Sequence, residues 1–215
     1  MGLRDRLMAG VAQQLRQPEG LRGMLTARGL NRGNHDVVLA AVTATGLEEG
    51  QVAADIGFGG GVGLRPLLDR VGPEGHVHGV ELSDTMLAMA RRRFSKDAAR
   101  GRLTLHAGDM VDLPLPDDFL DAAISVNTVY FVEDPERAFA EIARVLRPGG
   151  RVVIGVGDPA AMAAMPFTAH GFTLRPIDDL KGLLHNSGFA EPQHERVGNG
   201  DRAFHLLVAN HAAAG

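Results

Sequence analysis

A glycine-rich turn follows a short apolar segment in the first third of the chain. Residues 52–56 have the composition of a buried strand, and Gly57, Gly59 and Gly61 follow them at alternate positions. Glycine has no Cβ and adopts positive φ, so such a turn bends sharply and lets the backbone lie against a ligand. A helix that begins just beyond it would direct free N–H groups into the turn. The pattern therefore favours a site for a nucleoside-containing cofactor.

A glutamate at the end of the next apolar segment points to the same chemistry. Residues 76–81 have the pattern of a second strand, and its last residue is Glu81. A carboxylate in that position can accept hydrogen bonds from both hydroxyls of a ribose. The dinucleotide fingerprint G-x-G-x-x-G would need a glycine where the chain has Val62, so the glycine spacing does not match that of a dinucleotide site. A structural strand-to-helix turn without a ligand remains the alternative for the glycines alone.

The elements that would position these residues alternate between strand and helix. Strands are predicted at 51–56, 76–81, 102–106, 120–126 and 151–156, and helices at 3–16, 35–45, 62–71, 85–98, 135–146 and 176–187. This alternation is typical of βαβ units and predicts a parallel sheet. Two last strands, at 189–197 and 202–209, flank the turn Gly198-Asn199-Gly200-Asp201 and predict a closing hairpin.

Composition and charge argue against several other classes of protein. The chain has 215 residues, of which 45% are hydrophobic and 22% charged, with a net charge of −4 and a sequence pI near 6.1. This balance argues against broad binding to nucleic acid or to a membrane, and no apolar run reaches the roughly 18 residues of a membrane span. Cysteine is absent, which excludes disulfides, thiolate metal ligands and a cysteine nucleophile. We expect a cytoplasmic protein.

The histidines do not form a recognisable metal motif. His76 and His78 share one face of a predicted strand, but no carboxylate or third histidine stands at motif spacing beside them. We therefore predict no metal site.

Three further segments extend the pattern of the glycine turn. They are Gly108-Asp109-Met110 after the third strand, residues 121–127 along the fourth, and residues 141–154, which include Arg147-Pro148-Gly149-Gly150. Together with Asp55 and the glycines, they resemble the class I S-adenosylmethionine-dependent methyltransferases over roughly residues 50–210. The resemblance implies an α/β fold: a Rossmann-like, doubly wound, mostly parallel seven-stranded sheet with a C-terminal antiparallel hairpin and a helical N-terminal arm.

This resemblance also implies which residues bind the cofactor S-adenosylmethionine. Glu81 would bind the ribose hydroxyls, Leu82 and Met110 would enclose the adenine, and Asp109 would accept a hydrogen bond from its amino group. The complete set is Asp55, Gly57, Phe58, Gly59, Gly61, Glu81, Leu82, Asp109, Met110 and Asn127. For Glu81 and Asp109 the alternatives are a surface acid and a turn or cap residue.

The acceptor side is less clearly marked. The N-terminal segment resembles the arm of small-molecule methyltransferases of the ubiquinone-biosynthesis-like group, where that arm covers the cofactor. We expect one domain over 1–215, with the arm at 1–46 and the Rossmann-like core at 47–215. The candidates for catalysis are Tyr130, His35 and Asn127. Tyr130 is equally a half-buried aromatic, and Asn127 equally a turn residue.

The chemistry implied is transfer of a methyl group from S-adenosylmethionine to a small-molecule acceptor, with release of S-adenosylhomocysteine. Orientation and desolvation can supply most of the acceleration, so a fixed catalytic base is not required. We expect neither a nucleic-acid nor a membrane partner, and the sequence does not predict the oligomeric state. One alternative is a cofactor-binding module without turnover. Another is an NAD-dependent oxidoreductase, which Val62 and the lack of a recognisable Tyr/Lys proton relay disfavour.

Overall fold

A single twisted sheet forms the centre of the computed structural model, which describes residues 3–16, 34–199 and 203–212. In these residues the sheet has seven strands in the order β3-β2-β1-β4-β5-β7-β6. The strands are β1 Val52–Ile56, β2 His76–Glu81, β3 Leu103–Ala107, β4 Leu120–Val126, β5 Leu146–Gly157, β6 Gln193–Val197 and β7 Phe204–Asn210.

The strand pairing confirms the predicted doubly wound topology. β1 pairs in parallel with both β2 and β4, while β3 extends the sheet beyond β2 and β5 extends it beyond β4. β7 is antiparallel to β5 and to β6, which gives the C-terminal hairpin. The strand order therefore reverses between β1 and β4. Crevices at such switch points, outside the carboxyl ends of the strands, are where open α/β sheets bind ligands.

Helices cover both faces of the sheet. They are α1 Leu3–Arg16, α2 at residues 34–44, α3 Leu64–Val71, α4 Asp84–Arg93, α5 Ser95–Ala99, α6 Pro135–Val145, α7 Pro159–Ala163 and α8 Ile177–Asn186. Single 3-10 turns lie at Val129–Phe131 and Pro166–Ala169. None of the helices in the described residues is long and apolar enough to cross a membrane.

Apolar residues at helical spacing explain how the helices attach to the sheet. On α3 the buried residues are Leu64, Leu67, Leu68 and Val71, which share one face of the helix. On α6 they are Ala138, Phe139, Ile142, Ala143 and Val145. α2, α3 and α4 contribute to one core cluster, and α6 and α8 to another. Ser83 and Asp134 cap α4 and α6 by accepting hydrogen bonds from Met86 N and Arg137 N. These two helices therefore begin within one residue of the predicted positions 85 and 135.

Three predicted elements differ from the structure by more than two residues. The helix expected over 85–98 breaks at Phe94, which is fully buried and ends α4 before α5 begins. The fifth strand was expected to begin at 151, but β5 begins at Leu146, and its pairing with β4 shifts register between Leu120 and Ala122. The strand expected from 189 begins at Gln193. The predicted hairpin turn includes Gly200 and Asp201, which lie outside the described residues.

Candidate functional site

A cavity of about 980 Å³ opens at the carboxyl ends of the parallel strands. The residues that follow β1, β2, β4 and β5 line it, and residues of α1, α2, α7 and the hairpin complete its wall. Ligand pockets of proteins span about 300–1,000 Å³, so this cavity is large enough for two small molecules side by side. It lies at the switch point between β1 and β4.

The glycine turn forms one wall of the cavity through its backbone. Gly57, Gly59 and Gly61 all have positive φ, at 73°, 50° and 71°. Gly57 N donates to Val80 O at 2.8 Å, which holds the start of the turn against β2. A Cβ built on Gly59 would have no protein atom within 4 Å. Gly59 therefore faces open space that a side chain would partly fill.

Glu81 connects this turn to the end of β2. Its carboxylate is buried, with 7% of the residue exposed. Oε2 accepts a hydrogen bond from Gly59 N at 2.7 Å, and Oε1 accepts one from Ser83 N at 2.9 Å. Burial raises the pKa of the Glu81 carboxyl, and these backbone N–H groups oppose that rise. A carboxylate has about four acceptor positions, so both oxygens can still accept from a ligand.

Asp55 is a second buried acid in the same wall. No hydrogen bond from the described residues reaches its carboxyl group, and only 5% of the residue is exposed. Burial, and then the charge of Glu81, raises the pKa of Asp55 from 3.8 to about 8. A Cβ at Gly63 would collide with the Asp55 carboxyl. The sequence interpretation missed Gly63, although the signal was present as one more glycine two positions after Gly61.

The residues predicted to enclose an adenine lie together at one end of the cavity. Leu82 is 52% exposed, whereas Met110 is buried, and both line the cavity. Asp109 is exposed beside them, and its Oδ1 accepts from Val111 N at 3.2 Å. Phe58 is buried in the glycine turn and also lines the cavity.

Two of the three predicted catalytic residues line the cavity. Asn127 has a φ of 60° just after β4, and its Oδ1 accepts from the Tyr130 hydroxyl at 3.3 Å. The same hydroxyl accepts a hydrogen bond from Gly157 N. Burial raises the pKa of Tyr130, so its phenol stays protonated at neutral pH. His35 is exposed on α2 and does not line the cavity, unlike its neighbours Asn34 and Asp36.

Other lining residues were not predicted from the sequence. Thr128 packs where Gly57 lacks a Cβ, and its hydroxyl lies 3.4 Å from Gly57 O. Asp158, just after β5, lines the cavity and contacts the hairpin through His205. Both follow a strand that the sequence does predict, but a lone threonine or aspartate there is too common to stand out.

The far end of the cavity is apolar and aromatic. Its lining includes Phe131, Met162, Met165, Phe167, Phe172 and Phe204, which we call the aromatic compartment. The ring centroids of Phe131 and Phe172 are 4.6 Å apart, and those of Phe167 and Phe172 are 5.6 Å apart. Val11 of α1 lines the same cavity, and α1 packs against Pro166–Ala169. Asn31, a polar residue of the predicted arm, lies outside the described residues.

The histidines on β2 and β3 pair with each other. His78 Nδ1 and His106 Nε2 are 2.9 Å apart, and burial is the main cause that lowers the pKa of His78 to about 3. His76 bonds to Gly101 O and Thr104 instead. Within the described ranges, no group of three or more histidine, aspartate or glutamate residues is arranged to hold a metal ion.

Comparison with known proteins identifies relatives of this chain. The family model described as "Methyltransferase domain" matches residues 54–154. An uncharacterized methyltransferase of Bacillus subtilis is 31% identical over 140 residues, which are 65% of this chain and 74% of that protein. A demethylmenaquinone methyltransferase of Symbiobacterium thermophilum is 39% identical over 95 residues, 43% of this chain and 38% of that protein.

The fold is shared with a solved structure. A SAM-dependent methyltransferase from Aquifex aeolicus superposes with a TM-score of 0.71 at 20% identity, over 86% of this chain and 97% of that one. Against four other curated relatives, the matched segments span only 21% to 39% of the relatives' own length. The similarity to those proteins therefore concerns one part of each.

Proposed function

The chain belongs to the class I S-adenosylmethionine-dependent methyltransferase family, and we propose that it transfers a methyl group from this cofactor to a small, largely apolar acceptor. The observation that carries the proposal is one cavity with two kinds of wall. One end is a backbone turn with buried carboxylates, and the other is the aromatic compartment. When bound, S-adenosylmethionine supplies a methyl group attached to a sulfonium sulfur. After transfer of that methyl group, the rest of the cofactor leaves as the neutral thioether S-adenosylhomocysteine.

The polar end suits the cofactor. Gly59 leaves open space along the turn, and Glu81 holds that turn while keeping acceptor positions for the two ribose hydroxyls. Leu82 and Met110 present apolar surfaces for an adenine. Asp109 is exposed beside them as an acceptor for its amino group. Asp55 and Asn127 stand at the ends of β1 and β4, where they would face the amino-acid part of the cofactor.

The chain's own contribution to the reaction is orientation and exclusion of water. The aromatic compartment would hold an apolar acceptor in a fixed pose beside the cofactor, which removes much of the entropic barrier to a two-molecule reaction. Tyr130 forms part of the wall between the two ends, since its hydroxyl connects Asn127 to Gly157. The ubiquinone-biosynthesis-like subgroup stays part of this proposal, supported by a relative named for demethylmenaquinone.

A nucleic-acid acceptor is disfavoured by the charge of the site. The described lining residues include Asp36, Glu81, Asp109 and Asp158 but neither lysine nor arginine. Proteins that bind nucleic acid place cations along the groove that follows the phosphates. The N-terminal arm, residues 1–46, would cover the cavity as part of one domain over 1–215, which the packing of α1 against Pro166–Ala169 supports.

Calorimetric titration with S-adenosylhomocysteine, with NAD as the control, tests the cofactor first. We expect micromolar binding of the former and none of the latter. Binding of NAD alone would overturn the proposal. A methylation assay over a panel of apolar hydroxyl, amine and carbon acceptors then separates an enzyme from a module that binds the cofactor without turnover.

A further inference from the structure

Three side chains form a continuous hydrogen-bonded line from the cavity wall to the outer face of the hairpin. Asp158 follows β5 and lines the cavity. Its Oδ2 lies 3.2 Å from Nε2 of His205, on β7. Nδ1 of His205 lies 2.7 Å from Nε2 of His194, on β6. His205 is buried and His194 is exposed.

The chemistry of these groups sets the direction of each hydrogen bond. A carboxylate only accepts, so His205 donates through Nε2 and, when neutral, carries its lone pair on Nδ1. His194 must then donate through Nε2. Asp158 Oδ1 also accepts from Ala161 N at 2.9 Å, which caps α7. The Ala161 amide and then His205 lower the pKa of Asp158, so the group on the cavity wall is a carboxylate at neutral pH.

Capping of α7 explains the contact of Oδ1 of Asp158 but not the contact of Oδ2 with His205. A cap needs one oxygen, as Ser83 shows on α4. The second oxygen of Asp158 is held by a buried histidine that is held in turn by another. A quarter of the Asp158 side chain remains exposed, and the residue lines the cavity. The amides of Ala161 and Ala160 and the ring of His205 occupy at most three of its four acceptor positions, so the carboxylate can still accept from a ligand.

Charged groups in the described part of the chain flank this line on the hairpin side. Lys181 and Asp178 of α8 act on His194, and Arg196 of β6 pairs in register with His205. The Tyr130 hydroxyl accepts a hydrogen bond from Gly157 N, one residue before Asp158. Met162, on α7, lines the same stretch of wall.

We propose that Asp158 takes up the proton of a hydroxyl group on the methyl acceptor, and that His205 and His194 hold Asp158 in position. The methyl acceptor is then an apolar molecule that carries one weakly acidic O–H group. The inference rests on the proposed function. The O–H bond of the acceptor breaks, its proton forms a bond to a carboxylate oxygen of Asp158, and the electron pair left on oxygen forms the bond to the methyl carbon. The bond between that carbon and the cofactor's sulfur breaks in the same step, and its electron pair stays on the sulfur of S-adenosylhomocysteine. The proton returns to water when the products leave.

Binding of two matched probes tests this assignment without requiring turnover. The probes are 2-naphthol and 2-methoxynaphthalene, titrated into the complex with S-adenosylhomocysteine. Only the naphthol has a proton for Asp158, and a hydrogen bond to a charged group is among the stronger ones. We expect the wild-type complex to prefer naphthol by about tenfold. Asp158→Asn keeps an oxygen to cap α7 but removes the charge, and should reduce the preference to less than about twofold.

Two further variants separate positioning from stability. His205→Gln should reduce the preference to an intermediate value, about threefold, with unchanged affinity for S-adenosylhomocysteine. His185→Gln changes an exposed histidine of α8 outside the cavity and should leave the preference at the wild-type value. Thermal unfolding of each variant checks that the fold is kept.

The outcomes are distinguishable. If the wild-type protein does not bind S-adenosylhomocysteine, the proposed function fails, and this inference fails with it. If it binds S-adenosylhomocysteine but shows no preference for naphthol, or binds neither probe, the inference alone is overturned. A preference that survives in a folded Asp158→Asn variant also overturns it, because the carboxylate would then be a cap only.

Discussion

The two ends of the cavity are held in place in different ways. At the polar end, consecutive residues of one turn are fixed by backbone hydrogen bonds to β2 and to Glu81. At the aromatic end, side chains from β7, α7 and the segments after β4 and α7 meet only in the folded protein. The polar end can therefore be recognised from a short sequence pattern, whereas the aromatic end is visible in the sequence only as apolar and aromatic residues at scattered positions. A family can keep the first and vary the second.

The largest effect is expected from Gly59→Val, which breaks the polar end alone. The new side chain would enter space that the cofactor needs, so S-adenosylhomocysteine affinity should fall by more than about a hundredfold. Gly101→Val is the matched control, because Gly101 also has positive φ, at 70°, and open space around its Cβ position. Both variants carry the same backbone strain, of roughly 1–2 kcal/mol. Calorimetry that finds normal binding to Gly59→Val would remove the turn from the site.

Glu81→Ala should weaken S-adenosylhomocysteine binding by roughly 1–3 kcal/mol, because the Gly59 and Ser83 amides and the ligand hydroxyls lose their acceptor. Glu141→Ala is a suitable control. Glu141 also accepts from a backbone amide, Leu113 N at 2.9 Å, but it lies outside the cavity. Equal affinity of the Glu81 variant and wild type in the same titration would contradict the ribose assignment.

Asp55→Asn should stabilise the free protein while weakening cofactor binding. The folded-state pKa lies above the unfolded value, so the folded chain holds an extra proton between about pH 4 and pH 8. Stability is therefore greatest below this window and falls as pH rises through it. Each pKa unit corresponds to about 1.4 kcal/mol, so the variant should gain roughly 1–3 kcal/mol at pH 8.5 and little at pH 4.

Urea unfolding at the two pH values measures this difference. Asp97→Asn is the contrasting variant, since Asp97 is equally buried but paired with Arg65 at 2.6 Å. Its loss should destabilise the protein at pH 8.5. A pH-independent effect of Asp55→Asn would show that its carboxyl is hydrated or paired.

The smallest effect is expected from Phe172→Ala, which changes the aromatic end of the cavity and leaves the polar end intact. Removing this ring from its contacts with Phe131 and Phe167 should lower 2-naphthol affinity about five- to tenfold. Affinity for S-adenosylhomocysteine should stay within about twofold of wild type. Phe119→Ala, a half-buried phenylalanine outside the cavity, is the control. A parallel loss of both ligands in Phe172→Ala would mean that the two ends are not separate.

Local sequence patterns predicted most of the fold. β2 and β4 have the predicted bounds, and α4 and α6 begin within one residue of the predicted positions. The break at Phe94 was not predictable, because the helical pattern of apolar residues continues through it. The point where α4 ends is set by the packing of Phe94 against the core. The start of β5 depends on a register shift against β4, which no single segment encodes.

The candidate site divides in the same way. Asp55, Glu81 and the glycines were found because they end strands in a fixed order along the chain. Asp158 and His205 are 47 residues apart and meet across a strand pair, so no spacing rule connects them. His35 lies close to the cavity in sequence but does not line it. Successive side chains on a helix point about 100° apart, so its neighbours Asn34 and Asp36 line the cavity and His35 does not.

Tyr130 lies in the wall between the two ends of the cavity, and it is the chain's one tyrosine, with no tryptophan present. The protein's tyrosine emission therefore comes from a single position whose hydroxyl is bound to Asn127 and Gly157. A molecule entering either end alters the surroundings of that ring. The unlabelled protein consequently carries its own optical reporter of occupancy, and the order in which two ligands arrive can be followed in real time.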